Sequence, residues 1–151
     1  MGKIVAVCIS EKKGIQKRDI GAGRLIEQHG LEGDAHAGKW HRQISLLARE
    51  SANIIREKGL TIADGDFGEN IVTDGMDLKI LPIGTTLKIG NVAVIRVTQI
   101  GKLCHDRCAI YYKAGDCIMP REGIFAEIIT GGTIAAGDEI TILERGVVPK
   151  T

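Results

Sequence analysis

A chain of 151 residues that is 44% hydrophobic is the size of one domain and carries enough apolar mass for a core, which argues against disorder. Its 20 basic and 19 acidic residues leave a formal net charge of +1, which argues against broad electrostatic capture of nucleic acid or of a membrane. Aromatic residues make up only 3%, so a base-stacking platform is equally unsupported.

The chain opens on an apolar run, Lys3 to Ser10, that reads as a buried strand. The run is too short for a membrane span or the apolar core of a secretion signal, and Glu11, Lys12 and Lys13 follow at once. A cytoplasmic setting is expected. The polar stretch Glu11 to Asp19 contains Lys12, Lys13, Lys17 and Arg18. Such a run can hold an anion, but far more often it is a solvated loop. Arg24 to Gln28 reads as a second strand and glycine-rich Gly30 to Gly38 as a loop. Ser45 to Lys58 reads as a helix: Ala48, Ala52 and Ile55 fall at helical spacing, Ser45 is an N-cap candidate and Gly59 a stop. Asp64 to Asn70 is turn-rich. Gly90-Asn91, between Leu87-Lys-Ile89 and Val92 to Val97, signals a tight hairpin. Gly123 to Thr130 and Glu139 to Leu143 read as further strands, with turns at Gly131-Gly132 and Gly137-Asp138.

The sum is a mainly β chain with a few helices, and a small β-barrel is the expected architecture. Strands and helices do not alternate regularly, which excludes a doubly wound fold. The phosphate-loop pattern is absent, and Gly21-Ala22-Gly23 lacks the third glycine of a dinucleotide fingerprint.

Three segments can carry chemistry. The densest runs from Gly101 through Cys104-His105-Asp106-Arg107-Cys108 to Cys117. Cys104 and Cys108 are four apart, so a helical turn would set both on one face. Lys102, His105 and Arg107 would favour a Cys104 thiolate, able to attack, carry sulfur or ligate a soft metal. A structural zinc site of Cys104, Cys108, Cys117 and His105 fits the same residues, although no second closely spaced cysteine pair accompanies it. Plain packing is the third option, and for Cys8, inside an apolar strand, it is the favoured one. The second segment is Gly33-Asp34-Ala35-His36-Ala37-Gly38 with His41-Arg42-Gln43. Small residues there let a ligand approach the backbone, and Arg42 can grip a phosphate or carboxylate with two N–H groups. Alternatively, Asp34 caps a turn and His36 bonds to backbone. In the third, Gly65 to Asn70, Glu69 and Asn70 can meet the amide edge of a heterocycle, or form a polar turn before a strand. Arg121, after Pro120, is a further candidate for an anion.

Taken together, the stretches Gly30-Leu-Glu-Gly-Asp-Ala-His-Ala-Gly38, Arg42-Gln-Ile-Ser-Leu-Leu47, Gly65-Asp-Phe-Gly-Glu-Asn70, Gln99 to Cys104 and Gly131-Gly-Thr-Ile-Ala-Ala-Gly-Asp138 resemble a MOSC domain. This is the domain at the C-terminus of molybdenum cofactor sulfurases, and the likeness is to its small stand-alone bacterial members. It runs over nearly the whole chain, so residues 1–151 are expected to form a single MOSC domain. The resemblance implies a closed β-barrel with a few helices. It also implies binding of the molybdenum cofactor, a pterin that carries a phosphate and holds the metal by its dithiolene. Cys104 falls at the family's hallmark cysteine, implied to be a metal ligand or a persulfide carrier. The implied pocket comprises Lys12, Asp34, His36, Arg42, Glu69, Asn70 and Arg121. Cys108 and Cys117 are extra to the family pattern and leave zinc open.

In the sulfurases this domain is thought to hold the cofactor while sulfur is delivered. In reducing members of the superfamily the matching cysteine ligates molybdenum, and N-hydroxylated compounds are reduced. This sequence carries neither a pyridoxal-phosphate desulfurase domain nor an iron–sulfur domain. The expectation therefore leans to a carrier or sulfuration module for a molybdoenzyme or cofactor-biosynthesis protein. The alternatives are a reductase fed by a partner electron donor and a zinc-stabilised interaction domain without catalysis.

Overall fold

The structure, a computed structural model, describes residues 2–12, 15–59, 61–100 and 123–146. In chain order the described strands are β1 (Gly2–Ile9), β2 (Arg18–Asp19), β3 (Ala22–Ile26), β4 (Gly30–Leu31), β5 (Ile44–Ala48), β6 (Ile71–Asp74), β7 (Thr86–Ile89), β8 (Ala93–Ile100), β9 (Ile124–Thr130), β10 (Gly132–Ala135) and β11 (Glu139–Glu144). One α-helix, α1 (Arg49–Arg56), follows β5, and a single 3-10 turn spans Leu78–Ile80.

Seven strands close a barrel in the order β11-β7-β8-β9-β5-β6-β1, with β1 returning to pair with β11. The expected closed barrel is therefore what the chain forms. Closure leaves no unpaired edge among these seven strands. All their pairings are antiparallel except β5–β6, whose parallel register (Leu46 beside Ile71) requires the intervening helix and loop as a crossover. A second sheet, β10-β3-β4, covers part of the barrel, and short β2 extends the far end of β1.

The barrel is filled by inward side chains from every strand, including Ile4, Leu46, Ile71, Leu87, Ile95, Ile128 and Ile140. Each fully buried aliphatic side chain contributes about 1.5–3 kcal/mol. Leu25, Leu31 and Ile134 from the smaller sheet join the same core, which fixes that sheet against the barrel.

The segment Ser45 to Ala48 corrects the sequence reading. It belongs to β5, not to a helix; the helix begins at Arg49. All five β5 residues are buried, Ile44, Leu46 and Ala48 in the barrel core and Ser45 and Leu47 on the opposite face, so its apolar run carries no alternation that would betray a strand. Ser45 is consequently not a helix cap. Its backbone and hydroxyl bond to Asn70 instead. The hairpin at Gly90-Asn91 forms, but Ile89 pairs with Ala93, so Val92 belongs to a three-residue loop and is exposed. Gly132, read as part of a turn, begins β10.

Candidate functional site

Three loops meet at one end of β1: the stretch from Ser10 to Lys17, the loop after β4 from Glu32 to Gln43, and the turn from Ala63 to Asn70. Gly65 sets how closely they approach. Its φ is +95°, and a Cβ there would come within 2.3 Å of the Lys17 carbonyl oxygen. Only glycine allows this contact, in which the Lys17 N–H also donates to the Gly65 carbonyl at 2.9 Å.

The close approach drives Lys17 inward. Its side chain is wholly buried, so it is no part of a solvated basic run. The ammonium has three donors, and three acceptors surround it: Asp34 Oδ1 at 2.7 Å, Ser10 Oγ at 3.0 Å and His36 Nδ1 at 3.0 Å. Asp34 is equally buried. Its Oδ1 also accepts from the Ser10 N–H, and its Oδ2 from the His36 N–H. Burial opposes ionisation of Asp34. The hydrogen bond and charge of Lys17, with help from the Ser10 N–H and the Asn70 side chain, outweigh it and hold the carboxyl below the usual range.

Asn70 completes this inner layer. Its Oδ1 accepts from the Ser45 N–H at 3.0 Å and the Ser45 hydroxyl at 3.2 Å, and its Nδ2 donates to the Cys8 carbonyl at 3.0 Å. It ties β1 to β5 from within. Glu69 is 1% exposed, and its Oε1 accepts from the Phe67 N–H. Burial pushes its carboxyl up to about 7 against the opposing backbone N–H groups. Burial, followed by the charge of Glu69, likewise pushes the Cys8 thiol up, leaving Cys8 an inert core residue. The hydrogen bonds of Asp34, Glu69 and Asn70 are those of the structural alternatives: a capped turn and a polar turn before a strand.

An outer layer lies on the same loop, beside Gln99 near the C-terminal end of β8. Trp40, the only tryptophan of the chain, is half-buried, and its Nε1 donates to the His36 carbonyl at 2.7 Å. Its ring lies parallel to the His36 ring, with centroids 6.5 Å apart. Arg42 Nε and His41 Nε2 converge on one acceptor, Gln99 Oε1, at 3.0 and 2.9 Å. The Arg42 guanidinium carbon sits 5.2 Å from the centre of the Phe125 ring and 6.0 Å from that of Trp40. Its Nε is thus held while Nη1 and Nη2 make no hydrogen bond to described residues. A guanidinium so held can grip an anion through its remaining nitrogens.

The structure therefore brings Asp34, His36, Arg42, Glu69 and Asn70 to one end of the barrel in two layers. Lys12 lies on the rim, exposed, with its carbonyl accepting from the Ser10 hydroxyl. Cys104, His105, Cys108, Cys117 and Arg121 lie outside the described residues, although β8 ends at Ile100 beside Gln99 and β9 begins at Ile124 beside Phe125. No cluster of metal-ligating side chains occurs among the described residues. Trp40 and Phe125 escaped the sequence reading, and Lys17 and Gln99 entered it only as members of a basic run and of a motif stretch. A lone tryptophan inside a glycine- and histidine-rich loop was the one available signal.

Comparison with known proteins follows the same outline. The family model described as the MOSC domain matches residues 33–141. The YuaD protein from Bacillus subtilis has a crystal structure with a TM-score of 0.76 at 21% identity, covering 93% of this chain and 94% of that one. YiiM from Geobacillus stearothermophilus gives 0.73 at 20%, covering 97% and 77%, and YiiM from Escherichia coli 0.64 at 23%, covering 95% and 71%. At such identities the likeness is one of fold. Among curated proteins, none matches.

Proposed function

This chain belongs to the MOSC domain family, and from that premise we propose that it binds the molybdenum cofactor and acts as a carrier or sulfuration module for molybdoenzymes. The observation that carries this reading is the outer layer: an Arg42 fork with two N–H-bearing nitrogens unused by described residues, braced by Gln99, at the strand end that leads into Cys104. These residues fit an anionic, oxygen-rich group. Arg42 takes the phosphate, and Trp40 and Phe125 shield the ion pair from water. Lys12, on the rim, and Arg121 add positive charge at longer range. When bound, the cofactor supplies a molybdenum centre able to accept sulfur or exchange oxygen. Cys104 supplies the thiolate that ligates the metal or carries the sulfur as a persulfide.

The partner in this reading is a cytoplasmic molybdoenzyme or a protein that makes its cofactor. Among the described residues no helix is long and apolar enough to cross a membrane. The test is elemental analysis of protein purified from a host that makes the cofactor. Molybdenum near one per chain, lost in both Arg42→Ala and Cys104→Ser, is the expected result. Zinc near one per chain without molybdenum would replace this reading with a zinc-stabilised interaction domain on Cys104, Cys108, Cys117 and His105. Turnover of an N-hydroxylated compound by the loaded chain with a reduced partner would make it a reductase.

A further inference from the structure

One irregularity in the barrel decides what Arg42 meets. β8 and β9 pair Val97 with Ala126 and then Gln99 with Phe125, so Thr98 is an extra residue and the ladder bulges there. Side chains of a strand alternate between its two faces, and Val97 shares the barrel core with Ala126. Without the bulge Gln99 would lie on that inward face. With it, Gln99 stands opposite Phe125, which alternates with the core residues Ile124 and Ala126 and so lies on the outer face. Arg42 sits there, over the Phe125 ring. Thr98 reaches the same loop, its hydroxyl donating to the His41 carbonyl. Chemistry sets which atom Gln99 turns to Arg42. An arginine Nε–H only donates, so the end of the amide 3.0 Å from it is the oxygen, not the nitrogen. The same oxygen lies 2.9 Å from His41 Nε2, which then donates as well. Arg96, earlier on β8, pairs with the Glu127 carboxylate, and its charge is matched within the protein. Among the described residues no carboxylate forms such a pair with Arg42.

We propose that Gln99 is the positioning residue that makes Arg42 selective for an oxyanion: the bulge at Thr98 aims a neutral acceptor at Nε, which orients the guanidinium without cancelling its charge. This rests on the reading of the site as a cofactor cradle and assigns the origin of its selectivity. A carboxylate in the same place would orient the guanidinium as well but would neutralise it. An apolar side chain of similar length would leave the charge and remove the orientation. Gln99 supplies both conditions at once, and it acts through Arg42, without itself touching the anion.

The test titrates the isotope-labelled, cofactor-free chain with inorganic phosphate at about pH 8, above the ordinary histidine range. A carbon-detected spectrum follows the Arg42 guanidinium carbon and Nε, assigned by their loss in Arg42→Lys. In the unsubstituted chain this signal should stand apart from those of solvated arginines and shift saturably with phosphate. Gln99→Glu should keep the signal apart yet weaken phosphate binding by about tenfold or more, because the added carboxylate repels the anion. Gln99→Met should return the signal to the solvated group and weaken binding by only a few-fold. A residue that served the fold alone would let the near-isosteric Gln99→Glu bind as the unsubstituted chain does, and that result would overturn the proposal. So would an Arg42 signal unmoved in Gln99→Met, or one that ignores phosphate in the unsubstituted chain. If Gln99→Met does not fold, Gln99→Glu decides by itself. Because no cofactor is present, a chain that binds no molybdenum leaves these readings intact. Failure to bind phosphate in turn leaves the metal analysis to decide the cofactor reading.

Discussion

The inner and outer layers of this barrel end are built from the same loop yet differ in what their polar atoms face. Inside, Lys17, Asp34 and Asn70 satisfy one another and the backbones of β1 and β5. Outside, Arg42 is half-exposed, and among the described residues it is hydrogen-bonded at Nε alone. A closed network specifies a fold, whereas donors left without a protein partner are available to water or a ligand. The contrast teaches that the motif residues do two separable jobs, and substitutions should separate them.

The largest expected effect is at Asp34. Asp34→Ala leaves the Lys17 ammonium buried without its counter-charge and should lower stability by about 3–5 kcal/mol, read by urea denaturation. Lys17→Met/Asp34→Asn, which buries no charge, should recover most of that loss. A loss below about 1 kcal/mol in Asp34→Ala would place the pair in water and erase the contrast. Asn70→Ala comes next. It strands the Ser45 N–H and the Cys8 carbonyl and should cost about 3 kcal/mol.

Much of the frame was legible because β1, β9 and β11 announce themselves by apolar pattern and bounding glycines. The MOSC likeness also placed the loop motifs on one chain before any contact was known. What escaped did so for physical reasons. β5 is buried on both faces, so it shows no period of two, and Ala48 and Ala52 imitate a helix across its boundary. Lys17 looked like one more solvated cation because its partner, Asp34, is 17 residues away, and only the close approach at Gly65 brings its loop into place. Gln99 joins Arg42 across 57 residues, a separation at which no local spacing rule operates. The cysteine segment lies outside the described residues, so its chemistry still stands on sequence alone.

The two buried carboxyls should give stability a maximum in mildly acidic solution. Glu69 is raised to about 7 in the fold against roughly 4.3 for a free glutamate, so the folded state binds the extra proton between those values. Its stabilising contribution is complete below the lower value and is lost as pH rises through the upper one. The swing is on the order of 3–4 kcal/mol. Asp34 runs the other way. It is held below the ordinary aspartate value of about 3.9, so its contribution is present above that value and lost as pH falls through its folded one. Glu69→Gln should flatten the alkaline limb and leave the acid limb in place. Denaturation midpoints from pH 3 to pH 9 check both, and an unchanged alkaline limb would remove Glu69 from this role.

The smallest expected change in stability is at the residue with the largest expected role. Arg42→Ala removes one hydrogen bond to Gln99 and two guanidinium–aromatic contacts at a half-exposed position, so it should cost only about 1–2 kcal/mol. Molybdenum content should nevertheless fall by tenfold or more, because no other described side chain on this loop presents an unused fork. Arg42→Lys separates charge from geometry. A lysine keeps the positive charge, but its ammonium lacks the rigid planar fork that bonds Gln99 from one nitrogen and offers two others side by side to an anion. Partial retention of metal by Arg42→Lys would mean that charge does most of the work. Loss as complete as in Arg42→Ala would mean that the braced fork does. A large loss of stability in either variant would instead make Arg42 part of the inner layer, and the distinction between the two layers would fail.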